Sequence, residues 1–175
     1  TDEPQFDFKR PLGFANSTDN ASFPWTFSLL EKFKKRYNYD LLEKLPEIVW
    51  NLPNGRVSTA RYHYHDFISE LFTESFADNC GRWCDEHNLF LTGHMMQEPT
   101  LQSQTGSLGE TMRSYRAFGI PGIDMLCNSV ELSTAKQCQS AVHQYGREAM
   151  VSELYGVTNW DFDFRGHKFQ GDWQA

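Results

Sequence analysis

Between positions 60 and 84, Ala60, Tyr64, Phe67, Ile68, Leu71, Phe72, Phe76, Cys80, Trp83 and Cys84 follow the three- and four-residue rhythm of a helix. They form one apolar stripe, so the chain is expected to carry a long amphipathic helix ending near residues 87–88. That helix limits two metal-binding readings. His63 and His65 would need both rings on one strand face to share an ion, whereas on a helix they diverge by about 200°. Cys80, Cys84 and His87 could share a helical face, but the sequence places no fourth zinc ligand.

The opposite face of this helix is acidic. Residues 62–110 hold Asp66, Glu70, Glu74, Asp78, Asp85, Glu86, Glu98 and Glu110 against one base, Arg82, so this stretch alone sums to −7, the net charge of the whole chain. A solvated helix face is the expected explanation. The balance argues against a nucleic-acid partner, which needs surplus Lys and Arg to neutralise phosphates. Apolar runs are far shorter than the roughly 20 residues of a membrane span. Cys80, Cys84, Cys127 and Cys138 form no CxxC pair and read as reduced, buried thiols.

The first residues carry neither a basic n-region nor an apolar h-region, which leaves the compartment open. Acceptor patterns at Asn16 and Asn20 accord with a secreted or periplasmic protein without establishing one.

Residues 1–27 read as a long ordered loop. A helix capped by Ser28 is expected over 28–37, a second begins near Asp40 and runs into Leu45-Pro46, and Pro53-Asn54-Gly55 makes a turn. Three apolar runs bounded by breakers come after the long helix, at 89–92, 120–126 and 149–154. Helical segments at 110–116 and 133–145 separate them, the latter ending at Gly146 as a C-terminal glycine cap. The alternation predicts an α/β fold with parallel strands.

Each strand delivers an acid at or past its C-terminal end: Glu98, Asp124 and Glu153. The opening Asp2-Glu3-Pro4 supplies a fourth, Glu3, as though another strand ended just before it. In parallel α/β folds, and above all in (β/α)8 barrels, catalytic groups gather at that rim. Glycoside hydrolysis needs such a pair, one carboxyl to protonate the departing oxygen and one to activate water or attack carbon. Glu98, Glu153 and Glu3 are therefore the candidate catalytic residues. His94 and Asp124 are candidates for holding substrate hydroxyls, and Trp160 for stacking on a sugar ring, although Trp160 and Trp173 also suit a core. No GxSxG elbow, phosphate loop or GxGxxG is present.

At TDEP (1–4), YDLLEKLPEI (39–48), ARYHYHDFISELFTESFADNCGRWCDEHNLFLTGHMMQE (60–98), PGIDML (121–126) and SELYGVTNWDF (152–162) the sequence resembles glycoside hydrolase family 106, the α-L-rhamnosidase-like enzymes. The resemblance implies a (β/α)8 TIM-barrel glycosidase domain that hydrolyses terminal α-L-rhamnosides with inversion, assisted by calcium near the site. In the wider clan the acid sits in an Asn-Glu-Pro-like motif after strand four and its partner after strand seven. Here Asp2 replaces that Asn, and Glu3 and Glu153 would stand three strands apart.

A closed barrel usually needs about 250 residues, so on this reading residues 1–175 form a single domain that is part of a larger barrel. Its open sheet edges would favour self-association. Two further classes are a non-catalytic carbohydrate-binding segment and a metal-dependent hydrolase built on His63, His65 and His94.

Overall fold

The acidic face of the long helix is less solvated than its charge suggests, and the way it is used explains much of the architecture. The computed structural model describes residues 1–6, 12–13, 17–126 and 130–175. Helix α1 spans Leu29–Tyr37, α2 Leu45–Val49, α3 Thr59–Phe72 and α4 Asp78–Glu86. A π-helical turn, Thr73–Ala77, joins α3 to α4. Strand β1 is Thr92–Gly93; helices α5 (Leu101–Ser107) and α6 (Thr111–Tyr115) lead to β2, Ile120–Met125. Helix α7, Leu132–Tyr145, leads to β3, Val151–Leu154, and α8 (Phe164–Gln174) comes last.

Helix α3 starts where Ser58 caps it, its side chain accepting the Arg61 amide at 3.0 Å. Ala60, Tyr64, Phe67, Ile68 and Leu71 are buried on one side as the stripe requires, and the last four pack with Leu29, Phe33, Leu41 and Ile48 of the preceding segments. Beyond the π turn the stripe meets a different core. Ala77 is buried, and Phe72, Phe76, Cys80 and Cys84 pack against Leu91, Met95, Leu108, Tyr115, Phe118 and Ile123 around the sheet. A π turn inserts one extra residue and so rotates the face that the next helical turns present. That rotation carries one continuous helix from the helical core to the sheet core. Trp83, expected in the stripe, is 53% exposed and stacks on His87 at 4.0 Å.

The sheet is parallel, in the order β1-β2-β3, with Thr92 opposite Ile120 and Asp124 opposite Glu153. This bears out the α/β class and the parallel strands. The described residues form a small open three-stranded sheet and no closed barrel. The expected first strand shrinks to two residues because Leu89 and Phe90 stay exposed. The chain start lies beside β1, where the Thr1 amino group donates to the Thr92 carbonyl at 2.6 Å. Gly93, at φ +130°, leaves no room for a Cβ against the Thr1 carbonyl.

Helix α7 closes on Gly146 in the left-handed conformation, φ +62°, as expected. Ser28 precedes α1 without a side-chain cap. Helices α5 and α8 were not expected. They begin at Thr100 and Asp163, whose side chains accept the amides of Ser103 and Gly166. Cys127 and Asn16 lie outside the described residues; Cys80, Cys84 and Cys138 are free thiols, and Asn20 is exposed. Among the described residues, no helix is long and apolar enough to cross a membrane.

The acid run itself is a correction. Glu74, Asp85 and Glu86 are exposed as expected, but Asp66, Glu70 and Asp78 face α6. Arg113 binds Asp66, Glu70 and Glu110 at 3.0–3.1 Å and the Asp66 carbonyl at 3.2 Å. Arg116 adds Glu70 at 3.1 Å and Asp78 at 3.5 Å. The Arg113 side chain is only 21% exposed, so its removal leaves half-buried carboxylates facing one another. Arg113→Met is expected to lower unfolding free energy by about 3 kcal/mol in a urea titration, the scale for breaking a buried pair. A loss under about 0.5 kcal/mol would place these pairs with ordinary surface ones.

Candidate active site at the strand ends

Three of the expected acids, Glu3, Asp124 and Glu153, meet around His94, together with Asp2. This imidazole, 6% exposed, lies just past β1. Its Nε2 is 3.1 Å from Glu153 Oε2 and 3.5 Å from Asp2 Oδ1. Glu153 reaches it from β3. Asp124, directly opposite Glu153 in the sheet register, shares that face of the sheet. One ligand atom each from Asp2, His94 and Glu153 lies within 4.8 Å of the others, and the same holds for Glu3, His94 and Asp124. Burial raises the Asp124 carboxyl above its ordinary range, with Glu153, Glu3 and Asp2 adding to the rise and His94 opposing it.

Glu98 sits deeper. It is 5% exposed, and it is placed by the turn after β1 and by α5, because Gln104 Nε2 donates to its backbone carbonyl at 2.7 Å. Its Oε2 accepts the Asp124 amide at 3.2 Å, and its Oε1 lies 2.8 Å from the Tyr115 hydroxyl. Burial outweighs these hydrogen bonds and pushes its pKa up to about 7. A cavity of about 300 Å³ opens beside it, lined also by Glu3, Met95, Asp124 and Glu131. That volume is at the lower end for ligand pockets and suits a ligand of one sugar ring.

The remaining candidates fall elsewhere. Trp160 stands fully in solvent and does not line this cavity, whereas Trp173 packs partly buried against the sheet core. Glu153 is bound to His94 and does not line the cavity either. The metal site on His63, His65 and His94 does not form among the described residues, since the first two lie on α3 and neither joins the His94 groups. His63 instead stacks on Tyr37 at 4.2 Å, and its Nδ1 lies 3.1 Å from the Tyr39 hydroxyl. His87 is likewise engaged away from the cysteines, its Nδ1 lying 2.7 Å from the Trp83 carbonyl.

Asp2, Tyr115 and Cys138 are site neighbours that the sequence pattern did not single out; only the adjacency of Asp2 to Glu3 hinted at the first. For the calcium that the resemblance implies, the donor set is a poor match. Calcium takes six to eight oxygens, whereas each group around His94 offers two carboxylates and one ring nitrogen, and both groups need the same imidazole.

Compared with protein families, with curated proteins and with solved structures, the chain matches none.

Glu98 also couples stability to pH. Its folded pKa, about 7, lies above the ordinary 4.5, so the folded state holds the proton more tightly than the unfolded state does. Stability from this group is complete below about pH 4.5 and is lost as pH rises through 7, by about 3 kcal/mol in all. The Glu98→Gln amide imitates the protonated acid and does not ionise. In urea titrations the variant is expected to match the wild type at pH 4.5 and to exceed it at pH 8. Equal midpoints at pH 8 would show that Glu98 ionises without penalty.

Proposed function

We propose that this chain contributes the acid and base carboxyls of a glycoside hydrolase, acting on terminal α-L-rhamnosides within a (β/α)8 barrel. One observation carries the reading. A carboxyl that holds its proton near neutral pH, Glu98, opens on a cavity shared with a second acid, Glu3, at the strand ends. A buried acid poised near the working pH beside a second carboxyl is the arrangement that glycoside hydrolysis uses.

In this mechanism Glu98 donates its proton to the departing glycosidic oxygen as the bond from that oxygen to the sugar carbon breaks. The Glu3 carboxylate takes a proton from a water that attacks the carbon from the opposite face, which inverts its configuration. Asp124 accepts hydrogen bonds from sugar hydroxyls. The His94–Glu153 pair fixes the wall of charge behind it. The parallel strand order, with Thr1 beside β1, is compatible with a barrel placement, and the barrel and the rhamnoside class come from the sequence resemblance.

Leaving-group chemistry separates the two roles. With an alkyl α-L-rhamnoside, Glu98→Gln is expected to lower kcat/KM by about 10³-fold. With a nitrophenyl rhamnoside, whose leaving group departs without protonation, the loss is expected to be far smaller. Glu3→Gln is expected to slow both substrates alike, and Glu153→Gln to act less than either. Wild-type turnover by both Glu98→Gln and Glu3→Gln would overturn the assignment. Rhamnose binding measured by calorimetry, with no turnover of either substrate, would leave a carbohydrate-binding segment in its place.

A further inference from the structure

The Tyr115 hydroxyl has one proton and two close oxygen neighbours. Its oxygen lies 2.6 Å from the Gly122 carbonyl oxygen and 2.8 Å from Glu98 Oε1. A carbonyl only accepts. When Tyr115 donates to Gly122, its contact with Glu98 is a hydrogen bond only if Glu98 carries a proton and donates it to the phenol oxygen. When Glu98 is ionised, the phenol must turn its own proton toward Oε1. Tyr115 is 1% exposed and packed in the sheet core, where its hydroxyl also meets the Cys138 thiol.

We propose that Tyr115 is a positioning residue whose hydroxyl turns between Gly122 and Glu98, and so sets the protonation state of the acid. The proposal rests on the acid role given to Glu98 above. In the resting state Tyr115 donates to Gly122 and receives the Glu98 proton. A bound glycosidic oxygen competes for that proton. As it transfers, the Glu98 O–H bond breaks, a new O–H bond forms on the departing oxygen, and the electrons of the broken C–O bond stay on that oxygen. Tyr115 keeps its own proton and swings it to the new carboxylate, which it stabilises.

The groups facing Glu98 fit this division of labour. Burial raises Tyr115 well above its ordinary range, followed by the charge of Glu98. Burial also pushes the Cys138 thiol on α7 up to about 12, so neither neighbour gives up its proton near neutrality. His94 favours the ionised form of Glu98, as do the Met95 and Asp124 amides. Glu3, Asp124 and Glu131 line the cavity on its open side.

Infrared difference spectroscopy reads this directly, whether or not a substrate turns over. The protonated-carboxyl band absent from Glu98→Gln reports Glu98, and its titration midpoint is followed in the wild type and in Tyr115→Phe. Loss of the phenol is expected to move the midpoint up by about one pH unit, because the hydrogen bond lost by the carboxylate is charge-assisted and stronger than the neutral one lost by the protonated acid. Should Tyr115→Phe fail to fold, replacing the tyrosines with 3-fluorotyrosine keeps the geometry and strengthens the donor, and the midpoint is expected to fall. A midpoint unmoved in whichever of these proteins folds would overturn the proposal. A shifted midpoint in a protein that hydrolyses no rhamnoside would uphold the switch while removing the glycosidase reading.

Discussion

The Glu98 carboxyl gathers the surrounding elements around one buried polar group. Its side chain meets the Asp124 amide of β2 and the hydroxyl of Tyr115 at the end of α6. Its own backbone carbonyl is held by Gln104 of α5, which also exchanges amide hydrogen bonds with Gln137 of α7. Burying a carboxyl is unfavourable unless it is neutral or well partnered. Here it is surrounded by donors yet still pushed toward the neutral form. In the proposed mechanism stability and chemistry draw on the same group: the proton that lets Glu98 sit in the core is the one that would be transferred.

The two cores and the ion network set the stage for that group. The π turn after α3 carries the apolar stripe from one core to the other. Arg113 and Arg116 clamp α6 to the acidic side of the same helix. With α6 fixed at that helix, Tyr115 at its end reaches β2 and Glu98. Charges that read as a solvated face thus help hold the partner of the buried acid.

The sequence made some of this legible, for identifiable reasons. Strands β2 and β3 and helix α7 stand out because glycines bound their apolar runs, and Gly146 marks the end of α7. The acids Glu98, Asp124 and Glu153 could be picked because their places follow from the strand ends, and Glu3, which follows no described strand, from the Asp2-Glu3-Pro4 motif. Helices α5 and α8 were hidden by internal glycines, Gly106, Gly166 and Gly171, and by an aromatic-rich segment that resembles a loop. Tyr115 was hidden because its contact with Glu98 spans 17 residues and depends on how α6 packs. Trp160, which suited either a sugar platform or a core, stands in solvent away from the cavity, because the sequence does not say which way an isolated tryptophan faces. The closed barrel rests on family resemblance, while the described strands supply a parallel sheet of three.

The most direct test of the central claim is the titration of the Glu98 side-chain carboxyl by carbon-13 NMR, assigned by the resonance missing from Glu98→Gln. A midpoint within about one unit of 7 is expected from its burial. A midpoint near the ordinary 4.5 would show an acid already ionised at neutral pH, contradicting both the proton-holding site and the chemistry proposed for it.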